Sequence, residues 1–323
     1  MTTSDTLTRV RGLHTGDRGP RAPRKRAPRR SRITAAAYIA PSMIAVGGSL
    51  VFALVLLVGM SLRDVSLGRL SAIFAAPLTL TNYVEVLGDP ATWRSFLVSL
   101  IYTVGSTLLP FIGGLMIALL LNQRMPGQRL LRTLALVPWA VPSVTATVAF
   151  VWMMQPTYGV WNYLLRSVGL IDTDVNWFGD PNLALLAVII PTSWKAIPFF
   201  TLMLLAGLQS LSREQYEAAE VDGAGRLARF RWITLPGLAP FILVALLFSA
   251  MHSFREFDFI YASTQGGPDG ATETAAVRIY NQAFESFDLG NAATLGIVTF
   301  VLVAVLVALL FRRLNKGSLE GFL

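Results

Sequence analysis

The chain has 323 residues, 54% hydrophobic and only 14% charged, with a formal net charge of +8 and no cysteine. A soluble domain carries roughly 25% charged residues, so this composition excludes an ordinary water-facing globule and points to a surface turned mainly toward lipid. Disulfides, thiolate metal sites and cysteine nucleophiles are excluded outright, and two distant histidines, His14 and His252, do not make a metal centre.

The first segment is a basic tail, residues 1–32, carrying Arg9, Arg11, Arg18, Arg21, Arg24, Lys25, Arg26, Arg29, Arg30 and Arg32. It has no interleaved aromatics and runs straight into a long apolar stretch. That pattern reads as a disordered cytoplasmic topology signal touching anionic lipid headgroups, not as a nucleic-acid arm. A lipid-spanning helix needs roughly 20 mainly apolar residues. Six stretches in the expected transmembrane domain, residues 33–312, pass that test: Ile33–Leu62, Phe96–Leu121, Leu134–Met154, Leu183–Leu208, Leu238–Phe257 and Gly290–Phe311. The first is too long for a signal peptide and is read as retained. The expected fold is therefore an all-α integral membrane protein of six transmembrane helices. Gly47-Gly48 and Gly113-Gly114 are expected to allow close helix packing, and Trp93, Trp139, Trp161 and Trp177 to sit at water–lipid boundaries.

Loop charges give a direction. Arg124, Arg129 and Arg132 follow the second span, and Arg312, Arg313 and Lys316 close the sixth, the last two lying in a short tail, residues 313–323. The loop after the third span has Arg166 against Asp172, Asp174 and Asp180, and the loop after the fifth is rich in acids. The positive-inside rule then puts both termini, and the loop at residues 209–236, in the cytoplasm. In that loop Ser212 and Gln215 are spaced as a capping box opening a short helix, with Glu214, Glu217 and Glu220 in its first turns. Gly223 and Gly225 interrupt it, a second helix is expected over Arg226–Trp232, and Pro236 marks the start of the fifth span. Four acids balance four arginines, which favours docking to a soluble partner over lying on headgroups.

Glu217-Ala218-Ala219, Asp222-Gly223, and Ile233-Thr-Leu235-Pro236 together resemble the EAA motif of binding-protein-dependent ABC importer permeases, at the spacing of that motif. Leu136–Pro142, Gln155–Gly159, Leu205–Gln209 and Thr264–Pro268 are similar to the carbohydrate-importing, maltose-type branch, and the likeness runs from the first span to the last. The resemblance implies an ABC importer permease fold in a bacterial or archaeal cell membrane. It implies a cytoplasmic coupling-helix loop docked on an ATPase, with Glu217 making a polar contact and Ala218, Ala219 and Gly223 allowing close approach. It also implies the partners: a second similar permease subunit, two ATPase subunits that bind ATP-Mg, and an extracytoplasmic solute-binding protein, all beside membrane lipid. The chain itself is expected to be no enzyme and to hold no cofactor or metal. It has no Gly-x-x-x-x-Gly-Lys-Ser/Thr phosphate loop.

Charges inside spans mark candidate transport residues. Trp194 and Lys195 lie in the fourth span between Pro191 and Pro198, which are expected to break that helix as transporter sites often require. Lys195 has a second reading, as the structural partner of an acid in this chain or in a partner subunit. The outer part of the fifth span holds His252, Phe254, Arg255, Glu256, Asp258 and Tyr261, with Phe257. His252 and Glu256 share a helical face. Aromatic rings beside hydrogen-bonding groups suit a sugar or related polyol, and a self-satisfied polar network is the other reading. Gln265-Gly266-Gly267-Pro268 reads as an outer turn. The competing function is an ion-coupled secondary transporter using Lys195, His252 and Asp258 as a relay.

Overall fold

The computed structural model describes residues 29–66, 75–123 and 125–319. Residues 1–28 of the basic tail, and Arg124, lie outside that range. The chain divides into two units, up to Ala53 and from Leu54 onward. The first holds most of α1 (Arg29–Ser61), a helix that opens on arginines and is strongly apolar from Tyr38 onward. It begins inside the stretch expected to be a tail, because Arg and Ala are good helix formers once Pro28 has been passed.

In the second unit the helices are α2 (Thr81–Gly88), α3 (Pro90–Leu121), α4 (Gln128–Ala140), α5 (Ser143–Met153), α6 (Val160–Ser167), α7 (Ala184–Ser210), α8 (Arg213–Val221), α9 (Arg226–Arg229), α10 (Leu235–Phe254), α11 (Asp258–Ser263), α12 (Ala275–Tyr280) and α13 (Leu289–Leu319). Two π-helical turns, Phe230–Thr234 and Asn281–Glu285, join α9 to α10 and follow α12. Four helical stretches are long and apolar enough to cross a membrane alone: Tyr38–Ser61, Pro90–Leu121, Ala184–Ser210 and Arg226–Phe254. The sixth expected span is α13, apolar over Leu289–Val305 and helical to Leu319, so most of the expected C-terminal tail continues it. Basic residues in that last stretch suit a helix C-terminus.

The third expected span is not one straight helix. α4 and α5 are bent by 96° at Val141-Pro142. A residue before proline is pushed out of the helical region, and Val141 sits at φ −81°, ψ 127°. The fourth span behaves in the opposite way. Pro191 and Pro198 lie inside α7, which runs unbroken for 27 residues, so the expected break there is absent. Hydroxyls bond back inside the helix around both prolines: Thr192 donates to the Val188 carbonyl and Thr201 to that of Ile197, each at 2.9 Å.

α3 and α7 pack along their length and form the centre of the unit, with α10 against both. The inward face of α3 is small and polar: Ser95, Ser99, Thr103, Ser106, Gly114 and Ala118 are buried. Its outward face shows Leu97, Ile101, Leu108, Ile112 and Met116. This inversion of soluble-protein patterning suits a lipid surround, where backbones gain by approaching closely. A methyl group on Gly114 would lie 2.4 Å from Phe200 Cβ, and one on Gly207 2.7 Å from Leu238 Cδ2. The expected close packing thus occurs at Gly114. Gly47 and Gly48 lie on α1, in the first unit. Buried Tyr102 and Thr192 join α3 to α7 by a hydroxyl pair at 2.8 Å. The loop after α5 is tied by buried Asn162, which donates to the carbonyls of Pro156 (3.0 Å) and Val175 (2.9 Å) and accepts from Trp177 Nε1 (2.8 Å).

Candidate functional site

The candidate site has two parts, at opposite ends of α10. Its 20 residues separate them by about 30 Å at a rise of about 1.5 Å each.

At the N-terminal end lies the loop joining α7 to α10. α8 starts where the sequence indicates, but Ser212, although extended at φ −67°, ψ 127°, makes no side-chain cap bond, so the expected capping box does not form. The other end of α8 is closed firmly. Gly223 N–H donates to the Glu220 carbonyl at 3.1 Å and Ala224 N–H to the Ala219 carbonyl at 2.8 Å, with Gly223 at φ +79°. This is a Schellman closure, which glycine adopts without a Cβ penalty. A methyl on Gly223 would meet nothing within 4 Å, so within this chain backbone angle, not space, calls for glycine.

α8 is pinned to the next helix at two points. Tyr216 and Thr234 share a hydroxyl bond at 2.8 Å, and Arg229 Nη1 donates to Glu220 at 3.1 Å. The expected boundary at Pro236 is not a boundary: Arg226–Phe254 is one helical run through the π turn. Pro236, the second residue of α10, lies inside that run directly after the π turn. Leu211, after α7, packs on Gly237 at a spacing that leaves no room for a side chain there.

The outward surface of this loop carries most of the motif. Glu217, Ala218, Asp222, Gly223, Leu235 and Pro236 are exposed, and Ala219 and Ile233 are half-buried. Glu217 is held by Arg213 Nε at 2.8 Å, an exposed pair of small energetic weight. Beside them stand Val221 (88% exposed), Leu227 (79%) and Trp232 (73%), the last with the Arg231 guanidinium 5.7 Å from its ring centre. These three, with Tyr216 and Thr234, were not singled out from sequence. The hydrophobic three could have been, since apolar residues are out of place on a short solvated helix pair.

At the far end, α10 stops at Phe254, with Arg255 as its C-cap. The expected helical face shared by His252 and Glu256 therefore ends before Glu256. The two groups still lie 3.8 Å apart, His252 78% exposed and Glu256 9%. Glu256 Oε1 accepts the N–H of Asp258 at 3.1 Å, at the start of α11. Phe254 is in the core, packed with Phe96 and Ala275, and does not join the other aromatics. Asp258 and Arg255 are exposed, and Arg255 Nε donates to the Met251 carbonyl at 3.3 Å.

Tyr261 belongs to a run of stacked rings. Phe257 lies on it at 4.8 Å, Tyr280 stands 4.7 Å away, and Phe284 follows Tyr280 at 4.9 Å. The Tyr261 hydroxyl points to Glu285 Oε1 at 3.5 Å. Tyr280, Phe284 and Glu285 were not foreseen. They arrive through α12 and the second π turn. This half-buried aromatic face edged by a carboxylate offers both stacking area and hydrogen-bond acceptors.

Trp194 faces Phe150 of α5 with ring centres 5.6 Å apart. Lys195 Nζ donates to the Val141 carbonyl at the α4–α5 bend. It pairs with no acid of this chain among the described residues. Gln265-Gly266-Gly267-Pro268 forms a turn: Gln265 (φ 54°) and Gly266 (φ 95°) are left-handed, the Gly267-Pro268 bond is cis, and Thr272 Oγ1 donates to the Gly267 carbonyl at 2.7 Å. Arg278 holds the neighbouring α12 by pairing with Asp89 and, at 3.2 Å, Glu273.

Residues 111–318 match the family described as the binding-protein-dependent transport system inner membrane component. The chain is 41% identical over 224 residues to the trehalose/maltose transport system permease protein of Thermococcus litoralis, covering 69% of this chain and 75% of that one. It is 36% identical over 285 residues to the sulfoquinovosyl glycerol transport system permease protein of Agrobacterium fabrum, covering 87% and 90%. Its fold is similar to a chain in the crystal structure of a bacterial ABC transporter involved in import of the acidic polysaccharide alginate, with a TM-score of 0.71 at 20% identity, covering 88% and 99%. A multi-pass helical fold, a structured loop bearing the EAA residues, and a match over most of the length lead to one conclusion: the chain belongs to the binding-protein-dependent transport system inner membrane components, the permeases of ABC importers.

Proposed function

We propose that this permease forms half of the membrane path for a sugar or sugar–polyol conjugate, and that its partners are a second, similar permease subunit, two ATPase subunits and an extracytoplasmic solute-binding protein. ATP-Mg binds to the ATPase subunits. Both termini and the loop between α7 and α10 face the cytoplasm, and the aromatic face near α11 and the turn at Gln265–Pro268 face the outside.

One observation carries the coupling role. Glu217, Ala218, Asp222 and Gly223 are exposed on or at the end of a short helix that is bonded at two points to the helical run continuing into α10. Such a helix can be gripped by a partner and transmit the grip to a span. The neighbouring Val221, Leu227 and Trp232 supply the apolar area a stable dock needs. The substrate class is supported by the names of the similar permeases, which handle trehalose or maltose and sulfoquinovosyl glycerol, and by the ring face of Phe257, Tyr261, Tyr280 and Phe284. Trp194, Lys195, His252, Arg255 and Asp258 are assigned to the same path, between or beside that face and the bend.

The test is ATPase activity of the reconstituted complex, with the cognate binding protein, across a panel of sugars and sugar–glycerol conjugates. Stimulation by at least one carbohydrate is expected. No stimulation by any member of the panel, in a complex that hydrolyses ATP, would overturn the substrate class. Failure of any ATPase subunit to co-purify through Glu217–Gly223 would overturn the coupling role.

A further inference from the structure

The bend between α4 and α5 is an exposed problem in a lipid setting. α4 ends in orphan carbonyls, Pro142 supplies no N–H to them, and unpaired polar backbone in hydrocarbon costs several kcal/mol per group. The C-terminal end of α4 also carries the negative pole of its helix dipole. Directly across from it, on unbroken α7, stands Lys195, whose ammonium donates to the Val141 carbonyl. No carboxylate is within ion-pair distance of Lys195 among the described residues. The adjacent residue, Trp194, faces Phe150 on the other half of the bent span at 5.6 Å. Two consecutive side chains of α7 thus hold the break, one at the bend residue Val141 and one on α5. Val141 and Trp194 pack against the same buried cluster, around Tyr102, Val188 and Ile260, that Phe257 and Tyr261 also pack against.

We propose that Lys195 is a positioning residue for transport: its ammonium caps the C-terminal end of α4 and so sets the angle at which the two halves of the third span line the path. This rests on the permease reading above. The charge of Lys195 is then spent on the chain's own backbone, and the lysine acts on the solute only through Val141 and the rings next to it. A lysine in mid-span needs no acid partner on this account, because a helix C-terminus supplies the negative charge.

The absence of cysteine from this chain makes the test direct, since a single engineered thiol accounts for all label on this subunit once it is separated from its partners by electrophoresis. Ser143→Cys places it on the first residue of α5, half-buried beside the bend. Maleimide labelling rate and solute uptake are measured for the assembled complex with Lys195, Lys195→Arg and Lys195→Met. Lys195→Met removes the charged donor and is expected to raise the labelling rate about tenfold or more and lower maximal uptake by a similar factor with KM nearly unchanged. Lys195→Arg, which keeps the charge and a donor, is expected to restore both. Lys195→Gln, neutral but still a donor, serves if the methionine variant fails to assemble, and is expected to fall between. Unchanged labelling in the neutral variants would overturn the proposal, and so would a raised KM with labelling unchanged, which marks direct solute contact instead. Failure of the arginine variant to restore labelling would also overturn it. If the Lys195 parent complex takes up no solute, the permease reading fails, while the labelling comparison still judges the capping role on its own.

Discussion

Gly223 separates two reasons for a glycine, and a three-member series can tell them apart. At φ +79° an L-residue other than glycine, asparagine or aspartate pays roughly 1–2 kcal/mol, a factor of about 5–30 in the population of the closed turn. Space imposes nothing further within the chain, because a Cβ there meets no atom within 4 Å. Gly223→Ala therefore costs the turn its conformational penalty and adds only a methyl. Gly223→Asn tolerates the left-handed angle and leaves the Schellman bonds from Ala224 and residue 223 in place, yet adds a side chain on the outward face. Gly223→Trp adds both strain and bulk. If the outward face docks closely on an ATPase, Gly223→Asn should leave thermal stability of the purified permease unchanged but weaken ATPase-subunit co-purification by about tenfold, equivalent to about 1.4 kcal/mol. Gly223→Trp should abolish coupling while membrane insertion persists. The assay is co-purification followed by solute-stimulated ATP hydrolysis in proteoliposomes. Wild-type docking by the asparagine variant, together with loss in the alanine variant, would refute close approach and leave turn shape as the only role of the glycine.

Three further expectations follow from packing and hydrogen bonding. Tyr216→Phe removes the 2.8 Å bond to Thr234 and should cost about 0.5–1.5 kcal/mol; thermal unfolding measures that loss, and hydrolysis without transport measures the looser coupling that should accompany it. Gly114→Val places atoms inside Phe200, 2.4 Å from the position of the first added carbon, and should destabilise by about 1–3 kcal/mol or more. Thermal melting in detergent measures that loss. Tyr280→Leu takes the ring from between Tyr261 and Phe284 and should raise KM for uptake about fivefold, the loss of an aromatic contact worth about 1 kcal/mol; an unchanged KM would remove the ring face from the solute path.

What could be read in the residues, and what could not, divides along locality. The start of α8, the left-handed angle at Gly223 and the apolar core of each span are set by residues next to one another, and the sequence carries them. The prolines mislead because their effect is decided by neighbours in space. Pro142 breaks the third span, where Lys195 can serve the freed carbonyl, while Pro191 and Pro198 ride inside α7, where threonine hydroxyls bond back within the helix. The capping box fails although its spacing is right, since Ser212 holds a suitable backbone angle without making the bond. Phe254 lies in an aromatic pattern with Phe257 and Tyr261 yet turns to the core, because α10 ends there and reverses the faces that follow. Tyr280 and Phe284 join the ring face through a π turn, for which sequence spacing gives no sign.

The pinning of α8 to the run Arg226–Phe254 means that loop and span move as one stiff body. α10 alone is a lever arm of about 30 Å, so a tilt of only about 5° imposed at the loop displaces its far end by about 2–3 Å. That end carries Glu256 against the start of α11 and, through α11, the rings of Phe257 and Tyr261. A displacement of that size exceeds the tolerance of a stacked pair at 4.8 Å. The non-helical link Arg255–Phe257 joins this lever to α11, so its stiffness decides how much of a small rocking of the loop reaches the aromatic rings at the other face.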